Sequence, residues 1–283
     1  MRVILWCSTE GVCSMQKIKY ENYANGEIIN IYSDRGNIRL EDFDGGTCES
    51  EAITYRPIDY DGDIFISSTL RPRTITAKIK IIGITGGKYS RKAAMRGYNT
   101  LLRAFTVGDM GKLTYSNNGD DYVIDCRLAS VPPYTDENQF ILSVDITLIA
   151  DKPVWYDTTE NRVDITTSEI KHIWVDSAIP VPFKLYVKGL DAQPYLISLT
   201  AKARLCVFKG LENAQQHFLI DTGNCTCMLY DNDDDTEGQL ANQYLNDDAD
   251  FFYLYPGDNI VFFTNWSRGY DVYLTYYNGY LGV

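Results

Sequence analysis

The side chains of this 283-residue chain that are equipped for chemistry fall into four small groups. In DNDDDTEG, residues 231–238, Asp231, Asp233 and Asp235 stand at the two-residue spacing of calcium-loop ligands. A loop of the EF-hand type then requires Gly where Thr236 stands and Glu where Asn242 stands, so the segment reads as a solvated acidic turn. The two histidines, His172 and His217, sit in strand-like settings where an ordinary surface or core role outweighs catalysis. IDTG at 220–223 has the form of an aspartic-protease loop, but that chemistry needs two such loops so that two carboxylates share a proton, and the chain has one. The seven cysteines, Cys7, Cys13, Cys48, Cys126, Cys206, Cys225 and Cys227, are odd in number and form no paired CxxC. They are expected to be free thiols, as in a protein assembled in a cytoplasm. Cys225 and Cys227 share a strand face if that stretch is extended, yet they lack further ligands for a metal. No GxSxG, phosphate loop or zinc spacing occurs. The expectation is a non-enzymatic chain with no catalytic residue, cofactor or metal, whose working parts are surfaces.

Those surfaces must be carried mainly by strands. Aromatic residues make up 13% of the chain, with 22 tyrosines, a composition suited to β structure. ITAKIKIIGI, residues 75–84, alternates Ile75, Ala77, Ile79 and Ile81 inward against Thr76, Lys78 and Lys80. SRKAAMRGYNTLLRAF then places Met95, Tyr98, Leu101, Leu102 and Phe105 on one helical face. Ser90 is its N-cap, and Gly97 weakens it by about 1 kcal/mol relative to alanine. KLTYSNNGDDYVIDCRLASV reads as a hairpin turning at Asn118-Gly119. A long strand follows at 140–150, with Phe140, Leu142, Val144, Ile146 and Leu148 on one face. The polar, proline-containing DKPVWYDTTENR marks a boundary, giving a first domain at 1–150, a linker at 151–160 and a second domain at 161–283. The first is expected to be a β-sandwich or barrel-like domain with one α-helix. The second is a run of short strands expected to form a β-sandwich of jelly-roll type. Within it, FFYLYPGDNIVFF at 251–263 cannot be a continuous helix because of Pro256 and Gly257. It reads as two strands and a turn, with Phe251, Tyr253 and Tyr255 on one side before the turn and Ile260 and Phe262 after it.

Charge separates the halves. Residues 1–150 hold 17 Lys/Arg against 19 Asp/Glu, a net of −2, and residues 151–283 hold 9 against 19, a net of −10. An acidic surface repels phosphates, which speaks against nucleic-acid binding. No apolar run approaches a membrane span, and the apolar start MRVILWCSTEG is too short for a signal peptide.

Taken in order, RPRTITAKIKIIG, YNTLLRAF, GKLTYSNNGDDYVIDCRLASV and ITLIADKPVWY resemble the distal tail proteins of tailed bacteriophages. FLIDTGNCTCMLYD followed by DADFFYLYPGDNIVFF is similar to the end of that family's C-terminal sandwich, with its IDT … F-x-L-x-PG-x-N progression. The acidic stretch 231–250 and the segment 7–62 depart from the pattern. The resemblance implies a structural protein of the virion tail. In it the first domain builds a ring, commonly a hexamer, and the second projects outward as a galectin-like or carbohydrate-module-like sandwich. The implied partners are other copies of the chain, the tail tube protein, the tail-tip hub or spike protein and a receptor-binding protein. One rival is a host-glycan-binding module, with Trp266, Tyr270, Tyr276 and Tyr277 offering faces on which sugar rings stack. Another is a cell-wall-degrading enzyme acting through paired carboxylates, although nothing selects two of the many Asp residues.

A ring of identical subunits needs two complementary surfaces on each. Residues 41–63 carry eight acids (Glu41, Asp42, Asp44, Glu49, Glu51, Asp59, Asp61 and Asp63) against Arg56 alone. Residues 71–103 carry nine bases and no acid. Arg71, Arg73, Lys78 and Lys80 on one subunit, facing Asp59, Asp61 and Asp63 on the next, are therefore interface candidates. The alternative is that the two blocks pair within one subunit or face solvent.

Overall fold

The computed structural model describes residues 16–58, 61–165, 170–190, 195–207, 209–263 and 271–283. The chain divides into two compact units, one running to Trp155 and rejoined by Leu281–Val283, the other spanning Tyr156–Tyr280.

In the first unit the strands are β1 (Lys17–Asn22), β2 (Ile28–Tyr32), β3 (Ile38–Asp44), β4 (Ser50–Tyr55), β5 (Ile64–Leu70), β6 (Arg73–Ile82), β7 (Ile84–Thr85) and β8 (Lys88–Tyr89). The helix α1 (Arg91–Ala104) follows, then β9 (Met110–Asn117), β10 (Asp120–Leu128), β11 (Tyr134–Asn138) and β12 (Ile141–Ala150). Seven of them pair in the order β12-β6-β3-β2-β1-β9-β10, and β10 returns to β12 through Arg127↔Ile149 and Leu128↔Leu148, which closes a barrel. Along the same edge of β12, Ile141 to Val144 are taken by β11.

Strict alternation builds the interior. Ile75, Ala77, Ile79 and Ile81 of β6 and Leu142, Val144, Ile146 and Leu148 of β12 are buried as expected, while Phe140 lies in the turn before β12 and is half-buried. Asn118 and Gly119 both take positive φ, 54° and 100°, and make the two-residue turn between β9 and β10. Ser90 does stand at the N-cap of α1 with extended backbone, but its hydroxyl makes no capping bond. Ala94, Tyr98, Leu101 and Ala104 form the buried helix face, with Phe105 just beyond it, and Met95 and Leu102 are only half-buried. Gly97 has a packing reason, because a Cβ there would lie 2.7 Å from Cγ2 of Ile81. A methyl group would push the helix off β6, so the conformational cost of glycine is outweighed by the closer approach.

β13 (Trp155–Asp157) carries the chain into the second unit, whose strands are β14 (Asn161–Asp164), β15 (Ile170–Val175), β16 (Phe183–Lys188), β17 (Tyr195–Ser198), β18 (Ala203–Cys206), β19 (His217–Asp221), β20 (Thr226–Tyr230), β21 (Gln239–Leu240), β22 (Gly257–Phe263), β23 (Asp271–Tyr276) and β24 (Gly279–Tyr280). β14 to β23 form a six-stranded sheet, β14-β23-β16-β19-β20-β21, and a four-stranded one, β15-β22-β17-β18, while β24 pairs with β13. Phe183, Leu185, Phe218 and Leu274 from the first sheet share one core with Leu196, Leu205, Val261 and Phe263 from the second.

The stretch 251–263 departs from its expected form. Only Gly257–Phe263 is a strand; before it, Leu254 makes an isolated bridge to Val181 and Phe252 packs its ring on Phe183. Phe252, Leu254, Val261 and Phe263 are buried, whereas Tyr253 and Tyr255 are exposed and Ile260 and Phe262 half-buried. The inward set is therefore one residue out of step with the two-strand reading. Asn259, buried, sets that register. Its Oδ1 accepts from the Tyr255 backbone N–H at 2.8 Å, and its Nδ2 donates to the carbonyls of Tyr255 at 2.6 Å and Gly257 at 3.2 Å. Asn259 thus performs inside the sheet the hydrogen bonding that a tight turn would otherwise leave undone. Asn259→Ala is expected to destabilise the second unit by about 1–3 kcal/mol, since buried backbone groups lose their partner. Denaturant unfolding followed by tryptophan fluorescence would show it, and an unchanged midpoint would contradict the account.

Candidate assembly surface

Among the described residues of the first unit, two hairpins lie outside the barrel, the short β7–β8 and the longer β4–β5, and the longer one is left uncovered. β4 and β5 pair with each other and, among the described residues, with no other strand, and every residue of both is exposed. Ile53, Tyr55, Ile64, Phe65 and Ile66 lie on this arm, Phe65 being 62% exposed, and Ile58 at its tip is 99% exposed. A two-stranded hairpin by itself is marginally stable in water. Here it also displays β-branched and aromatic side chains of the kind that elsewhere in the chain are buried. The run Ile64-Phe65-Ile66 breaks the alternation seen in the other strands of the unit, and that was the available sequence signal for an arm apolar on both faces.

The charged candidates are distributed differently from a pair of opposed blocks. Arg71 Nε lies 3.4 Å from Oε2 of Glu51, and Arg56 Nε lies 3.1 Å from Oδ1 of Asp63, so both ion pairs tie the arm to itself. Lys80 pairs with Glu41 and, at 3.1 Å, with Glu137, and Lys78 reaches Glu41 at 4.0 Å. Hydrogen bonds to Glu41 and Glu137 raise the Lys80 ammonium above its ordinary pKa. Arg73 is not a surface residue: at 1% exposure it presents nothing to a neighbouring subunit. Its guanidinium donates to the carbonyls of Gly45 at 3.2 Å and Leu281 at 2.5 Å, which fastens the returning C-terminal residues into the first unit. Asp61 is exposed, and Asp59 lies outside the described residues.

The residues first considered for chemistry are engaged in structure. Asp221 of IDTG accepts the backbone N–H of Gly223 and Asn224 at 2.9 and 3.1 Å, and Thr222 is buried with its hydroxyl donating to the Phe183 carbonyl. That loop is a hydrogen-bonded turn. Asp235 accepts from the backbone N–H groups of Asp231, Glu237 and Gly238, and Asp233 binds the Lys188 ammonium at 2.5 Å. No group of three or more metal-ligating side chains occurs among the described residues. Cys225 precedes β20 with a positive φ of 53° and is exposed, whereas Cys227 is buried, so the two do not share a strand face. Burial pushes the Cys227 thiol up to about 12. Cys48, Cys126, Cys206, Cys225 and Cys227 are unpaired, and Cys7 and Cys13 lie outside the described residues. No helix among the described residues is long and apolar enough to cross a membrane.

No protein-family model matches the sequence, and no curated protein matches it. Among solved structures the chain is similar to the Dit protein of phage SPP1, described as a paradigm of the hub adsorption apparatus in phages infecting Gram-positive hosts. The TM-score is 0.70 over 93% of this chain and 98% of that one, at 13% identity. A chain of the phage P2 baseplate in its activated conformation with Ca matches over the same shares, with a TM-score of 0.50 and 12% identity. At such identities the likeness establishes a shared fold covering both units.

On the outer face of the six-stranded sheet, His217 stacks on Tyr230 with ring centroids 4.9 Å apart and meets the tilted ring of Tyr186 at 4.8 Å. Burial lowers its pKa, opposed in part by Asp233, whose carboxylate lies 3.7 Å from Nδ1. A histidine held neutral when folded binds its proton more readily when unfolded, so the stability it permits is whole above its ordinary pKa near 6.5 and is lost as pH falls below that. The second unit is expected to weaken between pH 7 and pH 5. In His217→Phe, which keeps the stacking, that slope should shrink; an identical slope in denaturant melts across this range would contradict the assignment.

Proposed function

We propose that this chain is a structural subunit of a phage tail tip, a distal tail or baseplate hub protein that closes into a ring of six copies. The observation that carries this is the uncovered arm. A barrel with its own closed hydrogen-bonding circuit gains nothing from a long apolar hairpin unless another surface covers it, and burying each large apolar side chain contributes about 1.5–3 kcal/mol. A head-to-tail ring is the symmetric solution in which each subunit both offers the arm and receives one. The likeness to a protein of the SPP1 hub apparatus supports the same reading. In this account the first unit builds the ring, the second stands as an outward β-sandwich of jelly-roll or galectin-like type, and the ring joins the tail tube to the tip and docks hub and receptor-binding proteins.

The charged candidates take a smaller part. Arg71, Lys78, Lys80, Asp61 and Asp63 sit at or near the surface and would set the register at the rim of the contact, where exposed pairs are worth about 0–1 kcal/mol each. Apolar burial by the arm, rather than opposite charge, supplies most of the association energy.

Native mass spectrometry and light scattering of the full chain are expected to show a hexamer that forms with rising concentration. Phe65→Ser with Ile66→Ser should leave a monomer whose melting changes little, because both side chains are mostly exposed in the subunit, 62% and 61%. Rings in this variant, or a monomer at every concentration in the parent chain, would overturn the proposal.

A further inference from the structure

The four-stranded sheet of the second unit has an outer face that ends in a small, well-supported aromatic site. Alternation along β15 sends Ile173 and Val175 into the core and leaves Ile170, His172 and Trp174 outward. Trp174 is 71% exposed, more than any other aromatic residue among the described residues. Directly across from it, in the register of β15 on β22, stands Asp258. His172, two residues from Trp174 on the same face, holds its Nδ1 2.9 Å from Oδ2 and 3.2 Å from Oδ1 of Asp258. An indole face is thus flanked by a joined imidazole and carboxylate, with Ile260 opposite His172 extending the apolar floor.

The backbone beneath is fixed from both sides. Tyr276, one of the residues considered for sugar stacking, is buried, and its hydroxyl donates to the Trp174 carbonyl at 3.0 Å. Asn259 donates to the Ile173 carbonyl at 3.4 Å. Tyr276 is therefore a positioning residue with no free face, while Tyr277 is exposed and Trp266 and Tyr270 lie outside the described residues. A platform held on strands in this way loses little entropy when it receives a ligand.

We infer that Trp174, His172 and Asp258 form a binding site for a neutral pyranose. The ring of such a sugar has one face of C–H groups that stacks on an indole and equatorial hydroxyls around its rim that both donate and accept. An apolar platform with a few fixed polar groups at its edge matches this division. Asp258 accepts from hydroxyls, and the free Nε2 side of His172 supplies the second polar contact. The net charge of −10 over residues 151–283 disfavours phosphate-bearing and other anionic polymers, which narrows the ligand to an uncharged saccharide. The inference goes beyond the assembly reading and does not rest on it.

The test titrates the full chain with glucose, galactose, N-acetylglucosamine and their β-linked disaccharides, following the indole N–H of Trp174 in ¹⁵N-edited spectra. At least one sugar is expected to shift that signal saturably in the millimolar range. Trp174→Ala should abolish saturable binding, and Asp258→Asn should weaken it about tenfold, the loss of one charge-assisted hydrogen bond. Both positions are exposed, and unchanged melting curves of the variants would show that the fold is retained. Absence of a saturable shift with the whole panel, or binding that survives Trp174→Ala, overturns the inference. A Trp174 signal that responds only to added protein partners would show a docking face in place of a sugar site, and would overturn it equally.

Discussion

Closure of the barrel between β10 and β12 is the constraint on which the rest of the first unit depends. A strand edge carries unpaired N–H and C=O groups that must find partners, and joining the last strand to the first removes the edges from most of the circuit. The pairs Arg127↔Ile149 and Leu128↔Leu148 make the join, and β11 covers β12 from Ile141 to Val144. Among the described residues of the first unit, the β4–β5 arm is the long hairpin whose hydrogen-bonding edges and apolar faces are both still open.

Much of this architecture was legible in the sequence because it rests on local rules. Two-residue alternation found β6 and β12, Asn118-Gly119 gave the β9–β10 turn, and Ser90 marked the start of α1. Part of the two charge blocks meets within one subunit, the alternative the sequence left open, for a topological reason. β3 and β6 are antiparallel neighbours with Asp42 opposite Lys78, and Glu41, beside Asp42, reaches Lys78 and Lys80. Opposite signs separated by some forty residues in sequence are therefore adjacent within one subunit. Composition along a chain does not reveal which blocks a sheet will bring together. The burial of Arg73 was hidden for the same reason, since its acceptors, Gly45 and Leu281, come from distant parts of the chain.

In the second unit the informative failure is the stretch around Pro256 and Gly257. Aromatic residues at 251, 253 and 255 suggested one buried face, yet the buried members are Phe252 and Leu254, because Asn259 shifts the register by satisfying backbone groups on both sides of the turn. A polar side chain in the core overrode the hydrophobic pattern. The same residue supports the strand on which Trp174 stands, so the turn and the aromatic site share one set of hydrogen bonds. The sequence signal for that site was modest: a tryptophan in IKHIWV falling on the face opposite Ile173 and Val175.

The central claim is that the arm at residues 50–70 is completed by a second copy of the chain. Amide hydrogen exchange measured peptide by peptide, in dilute monomer and in concentrated protein, tests it most directly, because exchange reports the opening of each backbone hydrogen bond in its own segment. The account predicts that arm amides exchange rapidly in the monomer and become protected as assembly proceeds, while the barrel strands are protected in both. Arm amides that exchange rapidly in the assembled protein as well would contradict it.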